Sequence, residues 1–213
     1  MMRLLVTGAN RGIGAALVAA ARGAGHEVIA ATRPGRGGDV AFDITDHAAL
    51  GRTAASLGPL DALINNAGII GPARQSPLDM DFAGFREVLE VNTLAPLAVA
   101  QAFLPNLRRG TAPRILSVSS QMAWMGYAKS DRIAYRASKV ALNKVMQGLA
   151  TDLAPEGIAV GVVDPGWVRT EMGGPEAEED PDAVARGILA VAERLSPERS
   201  GLFWHWRGDV REY

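Results

Sequence analysis

The chain has 213 residues, 48% of them hydrophobic and 21% charged, which are the proportions of a folded globular protein rather than a disordered one. It contains no cysteine, so disulfide bonds, thiolate metal sites and a cysteine nucleophile are excluded. A net charge of −1 gives no electrostatic reason to expect nucleic acid or an anionic membrane as a partner.

Short apolar strands alternate with longer helical stretches. The predicted elements, in chain order, are a strand at Met2–Val6, a helix at Ile13–Arg22, strands at Glu27–Ala31 and Val40–Phe42, a helix at Asp46–Leu57, a strand at Leu60–Ile64, a helical stretch at Phe82–Arg108 interrupted by Pro96, a strand at Arg114–Val118, a helix at Ala134–Leu153, a strand at Ile158–Val163, a helix from Pro181 to about Leu195 and a strand at Leu202–Trp206. This alternation predicts a single doubly wound α/β domain of the Rossmann type over residues 1–213, with a seven-stranded parallel sheet flanked by helices. Ligands of such a domain bind at the carboxyl ends of the strands.

The location of the protein is predicted from what the sequence lacks. We find no run of about 18 apolar residues, so we expect no membrane span. The apolar stretch at the amino terminus is too short for a signal peptide, and with no cysteines a soluble cytoplasmic protein is expected. The histidines His26, His47 and His205 lie far apart in the sequence, so no metal site is predicted.

A glycine-rich turn follows the first predicted strand, with the sequence Thr7-Gly8-Ala9-Asn10-Arg11-Gly12-Ile13-Gly14. Gly8 allows a tight turn, Gly12 lets the backbone approach a phosphate, and Gly14 lets the helix pack on the strand. The helix N-terminus behind the turn offers free N–H groups to a pyrophosphate. Taken alone, the segment also fits an ordinary turn between a strand and a helix.

A tyrosine and a lysine lie four residues apart, at Tyr135 and Lys139, on a predicted helix. Positions i and i+4 share a helix face, so the phenol and the ammonium group can point into one pocket. A nearby cation lowers the pKa of a phenol toward the range in which it can exchange protons at neutral pH. An isolated pair of this kind is also common on a helix surface.

Two polar segments follow buried strands. Asn65-Asn66-Ala67-Gly68 is typical of a turn, and Ser117-Val118-Ser119-Ser120 ends the strand before the Tyr/Lys helix. Hydroxyl groups there can donate a hydrogen bond to a substrate oxygen, although serines at strand ends also form ordinary loops.

In their order and joint presence, these four segments resemble the short-chain dehydrogenase/reductase family from Met2 to about Thr170. Asp164-Pro165-Gly166-Trp167-Val168-Arg169-Thr170 and the short C-terminal part are most similar to the C-factor and sniffer-type carbonyl reductases. The resemblance implies that Tyr135 is the general acid and that Lys139 holds the nicotinamide ribose and lowers the tyrosine pKa. It also implies that Ser120 orients the carbonyl group and that the main-chain carbonyl of Asn92, at a local helix distortion, binds a relay water.

One departure from the family concerns the serine. The interval between Ser120 and Tyr135 is slightly longer than the family's common spacing, and a small insertion in the loop Gln121 to Arg132 would absorb the difference. Ser119 therefore remains a second candidate for the catalytic serine.

Charge predicts the cofactor, which we expect to be NADP(H) rather than NAD(H). NAD-preferring relatives place an acidic residue at the end of the second strand, whereas here Arg33 follows that strand and Arg11 lies in the glycine turn. A guanidinium group can bind the 2′-phosphate through two hydrogen bonds, although both arginines could also be solvated surface residues. By resemblance, the further cofactor-binding residues are Gly8, Asn10, Gly12, Ile13, Gly14, Asp43, Ile44, Asn66, Ala67, Gly68, Tyr135, Lys139, Pro165, Gly166, Val168 and Thr170.

The resulting hypothesis is an NADPH-dependent reductase of small aldehydes or ketones. Two alternatives stay open, namely a dinucleotide-binding signalling protein of the C-factor type and an NAD-dependent alcohol dehydrogenase. By resemblance we also expect a homodimer or homotetramer that pairs through the two long helices. The segment around 171–180 is short for a substrate lid, and this predicts an open pocket. Met122, Trp124, Met125 and Trp167 either form an apolar wall of that pocket or pack on neighbouring loops.

Overall fold

A mixed sheet of eight strands runs through the centre of the molecule, of which the computed structural model describes residues 1–126 and 128–213. The strands of this sheet and of a small separate hairpin are β1 (Arg3–Thr7), β2 (Glu27–Thr32), β3 (Val40–Ala41), β4 (Ala62–Asn65), β5 (Gln75–Ser76), β6 (Asp79–Met80), β7 (Arg114–Val118), β8 (Ala159–Asp164), β9 (Phe203–His205) and β10 (Val210–Arg211). The helices are α1 (Gly12–Gly23), α2 (His47–Ser56), α3 (Phe82–Leu89), α4 (Ala95–Leu107), α5 (Ile133–Leu153) and α6 (Pro181–Arg194). Short 3₁₀ turns lie at Gln121–Ala123, Ala154–Glu156 and Pro197–Arg199.

The strand order is β3-β2-β1-β4-β7-β8-β9-β10, and every pairing is parallel except that of β9 with β10. The predicted doubly wound α/β class and its seven parallel strands are confirmed. The predicted strand count was short by one, because the antiparallel edge strand β10 has only two residues and therefore no pattern to read. Starting from β1, the chain adds β2 and β3 towards one edge of the sheet. It then returns to β4, on the other side of β1, and adds the remaining strands towards the opposite edge. The switch point of the sheet therefore lies between β1 and β4.

Helices cover the two faces of the sheet with separate apolar cores. On one face α1 and α6 pack on the strands through residues such as Leu17 and Ile188. On the other face α2, α4 and α5 contribute residues such as Leu50, Phe103 and Met146. Because the strands are buried on both sides, their sequences are nearly continuous apolar runs, as the prediction required.

Aspartate N-caps begin two of the helices, α2 and α6. Asp46 Oδ1 accepts a hydrogen bond from the Ala49 N–H at 2.9 Å, and Asp180 Oδ1 accepts one from the Ala183 N–H at 3.0 Å with Pro181 at the first helical position. Each carboxylate satisfies a backbone donor that has no partner within its own helix.

The long helical stretch is interrupted close to the predicted Pro96, by a π-helical turn and not by a break in the helix. Residues 82–107 are continuous, because a π-helical turn at Glu90–Leu94 widens the helix just before the proline. Pro96 has no N–H, so it cannot donate the ordinary helical bond to the carbonyl four residues earlier, which belongs to Asn92. The proline thus marks the place where the helix is distorted rather than where it ends.

By length and composition this continuous segment, 82–107, is the one helix in the described part of the chain that could cross a membrane. In the fold, Val88, Val99, Phe103 and Leu107 on this segment are buried in the domain. The core packing of those residues accounts for its apolar composition.

The start of α1 packs directly on the end of β1 at Gly14. A Cβ atom at this position would lie 2.2 Å from the Gly8 carbonyl oxygen and 2.5 Å from Asn66 Nδ2. Neither contact can relax by rotation of a flexible side chain, because one partner is backbone and the other is held by its own hydrogen bonds. The close approach of helix and strand therefore requires glycine.

We predict that Gly14→Ala lowers the free energy of unfolding by about 1–3 kcal/mol, since the added methyl group forces backbone apart. Gly23→Ala, at the other end of the same helix, is the matched control, because a Cβ there meets no atom within 4 Å of the described chain. It should be neutral or stabilise by up to about 1 kcal/mol. Urea unfolding of both variants checks this, and equal midpoints for the two would contradict it.

Candidate active site

A cavity of about 530 Å³ opens at the carboxyl ends of the parallel strands, next to the switch point between β1 and β4. All the predicted cofactor-binding residues line it, as do Ser120, Tyr135 and Lys139. Asn92 is fully buried behind the cavity wall. Arg11 and Glu171, which are 160 positions apart in the sequence, therefore meet at one site.

The glycine turn forms one end of this cavity. Gly8 and Gly12 have φ angles of +65° and +52°, in the left-handed region that residues with a Cβ adopt at a cost. Helix α1 begins behind the turn with no side-chain cap on Arg11 and no acidic residue in its first turn. The N–H groups at this helix end are therefore available to an anion.

Asn66 holds the turn to the end of β4. Its Nδ2 donates to the carbonyl oxygens of Thr7 at 2.9 Å and Gly8 at 3.2 Å. In return, Thr7 Oγ1 accepts from the N–H groups of Asn66 at 3.0 Å and Ala67 at 3.2 Å. These bonds clamp the two strand ends that flank the switch point and fix the floor of the cavity.

Tyr135 and Ser120 meet at the other end of the cavity, where their side chains are hydrogen-bonded to each other. Ser120 Oγ also accepts a hydrogen bond from the Met122 N–H at 3.1 Å. Ser119, the second candidate, is committed elsewhere, because its buried hydroxyl donates to Asn143 Oδ1 at 2.5 Å. The geometry thus favours Ser120 as the serine that acts with Tyr135.

Lys139 lies one helical turn after Tyr135, with its Nζ 5.7 Å from the centre of the tyrosine ring. The ammonium group is buried and donates to the Val118 carbonyl oxygen at 2.8 Å. Burial disfavours its charged form and lowers the pKa of Lys139 to about 8. This places a lysine that titrates near neutral pH beside the phenol.

Burial has the opposite consequence for the phenol and raises the pKa of Tyr135, since the phenolate is the charged form. The hydrogen bond from Ser120 and the positive charge of Arg132 oppose this rise without cancelling it. Tyr135 is therefore a protonated phenol at neutral pH, which is the state that a general acid needs. The lowering of the tyrosine pKa by Lys139 that the family resemblance implies is not among these causes.

The Asn92 side chain connects two parts of the cavity wall. Its amide accepts from the Ile69 N–H at 2.9 Å and donates to the Ile69 carbonyl oxygen at 2.8 Å and to Ser138 Oγ at 3.1 Å. A Cβ atom at Gly68 would lie 3.1 Å from Asn92 Oδ1 and 3.7 Å from Lys139 Nζ, so these residues are in close contact. The side chain is thus structural, which leaves the main-chain carbonyl in the π turn as the group that could act in chemistry.

Arg11 and Arg33, the two arginines predicted to bind the cofactor, line the cavity together with the glycine turn. Arg33 follows β2 and lies near Asp43, whose pKa is lowered mainly by hydrogen bonds from Thr45 and to a smaller extent by the charge of Arg33. Arg11 pairs with Glu171, on the segment after β8. This end of the cavity fits a phosphorylated dinucleotide. It combines glycines at which a side chain would be strained or would clash, free N–H groups at a helix end, and two guanidinium groups.

Gln75 is a site residue that sequence reasoning missed. This buried side chain accepts the Tyr135 N–H at 3.1 Å and donates to the carbonyl oxygens of Ile70 at 3.0 Å and Pro72 at 2.7 Å. It fixes the first turn of α5 against the loop after β4. Gln75 belongs to a two-residue strand, so no local pattern distinguishes it.

Asp164 at the end of β8 is the second residue that was missed. Its Oδ1 accepts from the N–H groups of Gln121 at 2.8 Å and Gly166 at 2.9 Å, and its Oδ2 pairs with Arg211 on β10. This carboxylate is fully buried, and it holds the loops that carry Ser120 and Gly166. An acidic residue that ends an apolar strand was the available signal.

The apolar side chains near the pocket divide into two groups. Met122, Trp167 and Met172 line the cavity, whereas Trp124 and Met125 are exposed outside it. The loop Gln121 to Arg132, which carries Met122, Trp124 and Met125, begins with a 3₁₀ turn. Residue 127 of this loop falls outside the described residues.

The segment after β8 folds back on itself instead of forming a long lid. The Arg169 N–H donates to the Glu179 carbonyl oxygen at 3.0 Å, and the Glu179 N–H donates to the Trp167 carbonyl oxygen at 2.9 Å. Residues 171–173 face the cavity.

The chain is similar to known proteins both in sequence and in structure. A family profile described as short chain dehydrogenase matches residues 3–181. The chain is 43% identical over 159 residues to the C-signal protein of Myxococcus xanthus, an alignment that covers 73% of this chain and 94% of that protein. An NADPH-bound carbonyl reductase from chicken fatty liver superposes with a TM-score of 0.90 at 30% identity, covering 100% of this chain and 99% of the other.

The carbonyl reductase Sniffer of D. melanogaster superposes with a TM-score of 0.91 at 26% identity over 100% of both chains. The profile match contains the glycine turn, the Asn66 segment, Ser120 and the Tyr135–Lys139 pair, all of which the fold brings to one cavity. The chain belongs to the short-chain dehydrogenase family.

Proposed function

We propose that this chain reduces small aldehydes or ketones with NADPH, using Tyr135 as the general acid. The observation that carries the proposal is one cavity that holds a buried, hydrogen-bonded Tyr135–Ser120 pair at one end and two arginines with a glycine turn at the other. Structures of similar proteins described as carbonyl reductases with bound NADPH or NADP support the same reaction class.

The cofactor would lie along the cavity from the glycine turn to Lys139. Gly8, Gly12 and the N-terminus of α1 would bind the pyrophosphate, and Arg11 and Arg33 would bind the 2′-phosphate. Lys139 would bind the nicotinamide ribose. When bound, the reduced cofactor supplies the hydride.

Tyr135 would protonate the carbonyl oxygen as the carbonyl carbon accepts the hydride, so that the alcohol and a tyrosinate are formed together. Ser120 would donate a hydrogen bond to the same oxygen and stabilise the charge that develops on it. The tyrosinate is stabilised by Ser120 and by the charge of Arg132. It would recover its proton from solvent by way of the Lys139 ammonium group.

Two other functions compete with this proposal. The likeness to a protein named C-signal favours a signalling role in which turnover is incidental. A signalling protein that only binds a dinucleotide does not need a buried general acid with a hydrogen-bonded serine, so the presence of Tyr135 argues against this alternative.

The other candidate function is alcohol oxidation with NAD. A comparison of the affinities for NADPH and NADH distinguishes it from the proposal. The absence of a carboxylate at position 33, directly after β2, favours NADPH.

We predict that Tyr135→Phe lowers kcat for aldehyde reduction by about 10²–10⁴-fold, because the proton donor is removed. NADPH affinity should change little, since the aromatic ring of residue 135 and the glycine turn at the other end of the cavity both remain. NADPH absorbance measures turnover and protein fluorescence measures binding. Tyr213→Phe, which alters a tyrosine bonded to the Gly201 carbonyl oxygen near the chain end, is the control and should keep its activity. Substantial turnover by Tyr135→Phe would contradict the assignment.

We predict that Arg33→Asp raises the Michaelis constant for NADPH at least ~10-fold and leaves that for NADH nearly unchanged or lowers it, because a carboxylate repels the 2′-phosphate. Arg52→Asp, an equal charge change on α2 outside the cavity, is the matched control. Steady-state kinetics with both cofactors checks the prediction. An unchanged Michaelis constant for NADPH in Arg33→Asp would overturn the cofactor preference.

The buried lysine predicts a pH dependence. The folded-state pKa of Lys139, about 8, lies below the 10.5 of a free lysine, so the ammonium group is lost from the folded protein as pH rises through about 8. Because kcat/KM for NADPH reports ionisations of the free enzyme, it should fall on that limb. The phenol of Tyr135 titrates higher, above its ordinary value of 10.0, and does not account for the limb.

Lys139→Arg tests the origin of this limb, since a guanidinium group stays charged well above this pH. Its kcat/KM for NADPH should be lower than that of the natural protein but flat through pH 8. A limb near pH 8 that persists in Lys139→Arg would show that another group causes it.

A further inference from the structure

Four cations line the cavity, and two of them have partners. Arg11 pairs with Glu171, and Lys139 donates to the Val118 carbonyl oxygen. The side chains of Arg33 and Arg132 are both exposed and make no hydrogen bond or ion pair with any described residue. The proposed function gives Arg33 to the cofactor, and this leaves Arg132 without a role. A guanidinium group in a cavity without a partner is a candidate for binding a ligand.

The backbone at Arg132 is held in an unfavourable conformation. Its φ and ψ angles of 51° and 42° are left-handed, and only one other non-glycine residue in the described chain, Ala112, has a positive φ. Neither glycine nor asparagine occupies the position, although both adopt this conformation more easily. Strain of this kind is found at functional sites and points here to a role for the arginine side chain.

A buried arginine on the same helix holds this conformation in place. Arg136 Nε donates to the Asp131 carbonyl oxygen at 2.8 Å, and its Nη2 donates to the Asp131 carboxylate at 2.8 Å. The Arg136 N–H also donates to the Arg132 carbonyl oxygen at 2.9 Å. Arg132 therefore projects from a fixed point at the start of α5, three residues before Tyr135.

The guanidinium group of Arg132 acts on the reacting end of the cavity. Burial raises the pKa of Tyr135, and the charge of Arg132 opposes this rise. The four carboxylates that line the cavity, on Asp43, Glu87, Glu90 and Glu171, do not contribute to that pKa. Near the Tyr135 hydroxyl the local charge is therefore positive. Met122, Trp167 and Met172 supply apolar surface for the rest of a substrate.

We propose that Arg132 binds an oxyanion on the substrate, so that the preferred substrates are carbonyl compounds that also carry a carboxylate or a phosphate. A guanidinium fork matches either group through two hydrogen bonds. Binding there would hold the carbonyl carbon near Tyr135 and Ser120 while the anion remains at the cavity mouth. This inference rests on the proposed reductase function and adds the substrate class to it.

The test compares 4-carboxybenzaldehyde with its neutral methyl ester, and 4-formylphenyl phosphate separates phosphate from carboxylate. The natural protein should have a kcat/KM at least ~10-fold higher for an anionic aldehyde than for the ester. Arg132→Asn, which accepts the left-handed backbone, should reduce that ratio about 10-fold, and Arg132→Lys should restore part of it. Using the ratio cancels any common effect on Tyr135. Arg52→Gln on α2 is the control and should keep the natural ratio.

Binding provides a readout that does not depend on turnover. The alcohol 4-(hydroxymethyl)benzoate cannot react with NADPH, and calorimetry of its binding to the NADPH complex should show about 10-fold weaker affinity in Arg132→Asn than in the natural protein. Urea unfolding of Arg132→Asn should give an unchanged or higher midpoint, which excludes a folding defect as the cause.

The outcomes separate the two proposals. Reduction of the ester and the anionic aldehydes with equal efficiency, or an unchanged ratio in Arg132→Asn, would overturn the role of Arg132 while the reductase function stands. No reduction of any of these aldehydes by protein that binds NADPH would overturn the reductase function itself. A preference for 4-formylphenyl phosphate over the carboxylate would support the proposal and identify the anion as phosphate.

Discussion

The site depends on keeping the carboxyl ends of β1 and β4 together at the point where the chain leaves them in opposite directions. Asn66 and Thr7 do this with four hydrogen bonds between the strand ends, two donated by the Asn66 side chain and two accepted by the Thr7 hydroxyl. The bonds leave almost no space at Gly14, where α1 passes over the same point. The position of the helix N-terminus, and with it the proposed pyrophosphate site, follows from this contact.

Burial of polar groups organises the other half of the cavity. Tyr135, Ser120 and Lys139 are all buried, and each has a hydrogen-bond partner that limits the cost of removing it from water. The same burial keeps the phenol protonated and brings the lysine near its titration point. The burial that costs free energy on folding therefore also shifts the two pKa values in the directions that proton transfer needs. Gln75 and Asp164 keep the surrounding loops in place.

Features that depend on local chemistry could be predicted from the sequence. The glycine turn was predictable because only glycine combines positive φ with close backbone approach, and the Tyr135–Lys139 pair because four residues return to the same helix face. The parallel sheet followed from continuous apolar runs. The N-caps Asp46 and Asp180 were predictable from residue type alone.

Features that depend on distant partners could not be predicted. The bonds of Gln75 to Tyr135 and of Asp164 to Arg211 join residues that are remote in sequence, and the strands that carry Gln75 and Arg211 have two residues each. The interruption predicted at Pro96 is a π-helical turn a few residues earlier, a form that the proline alone did not indicate.

Transfer of deuterium from NADPH labelled at the nicotinamide C4 tests the central claim most directly. The account predicts label at the carbinol carbon of the alcohol, and protein that binds NADPH without transferring label to any aldehyde or ketone would contradict it.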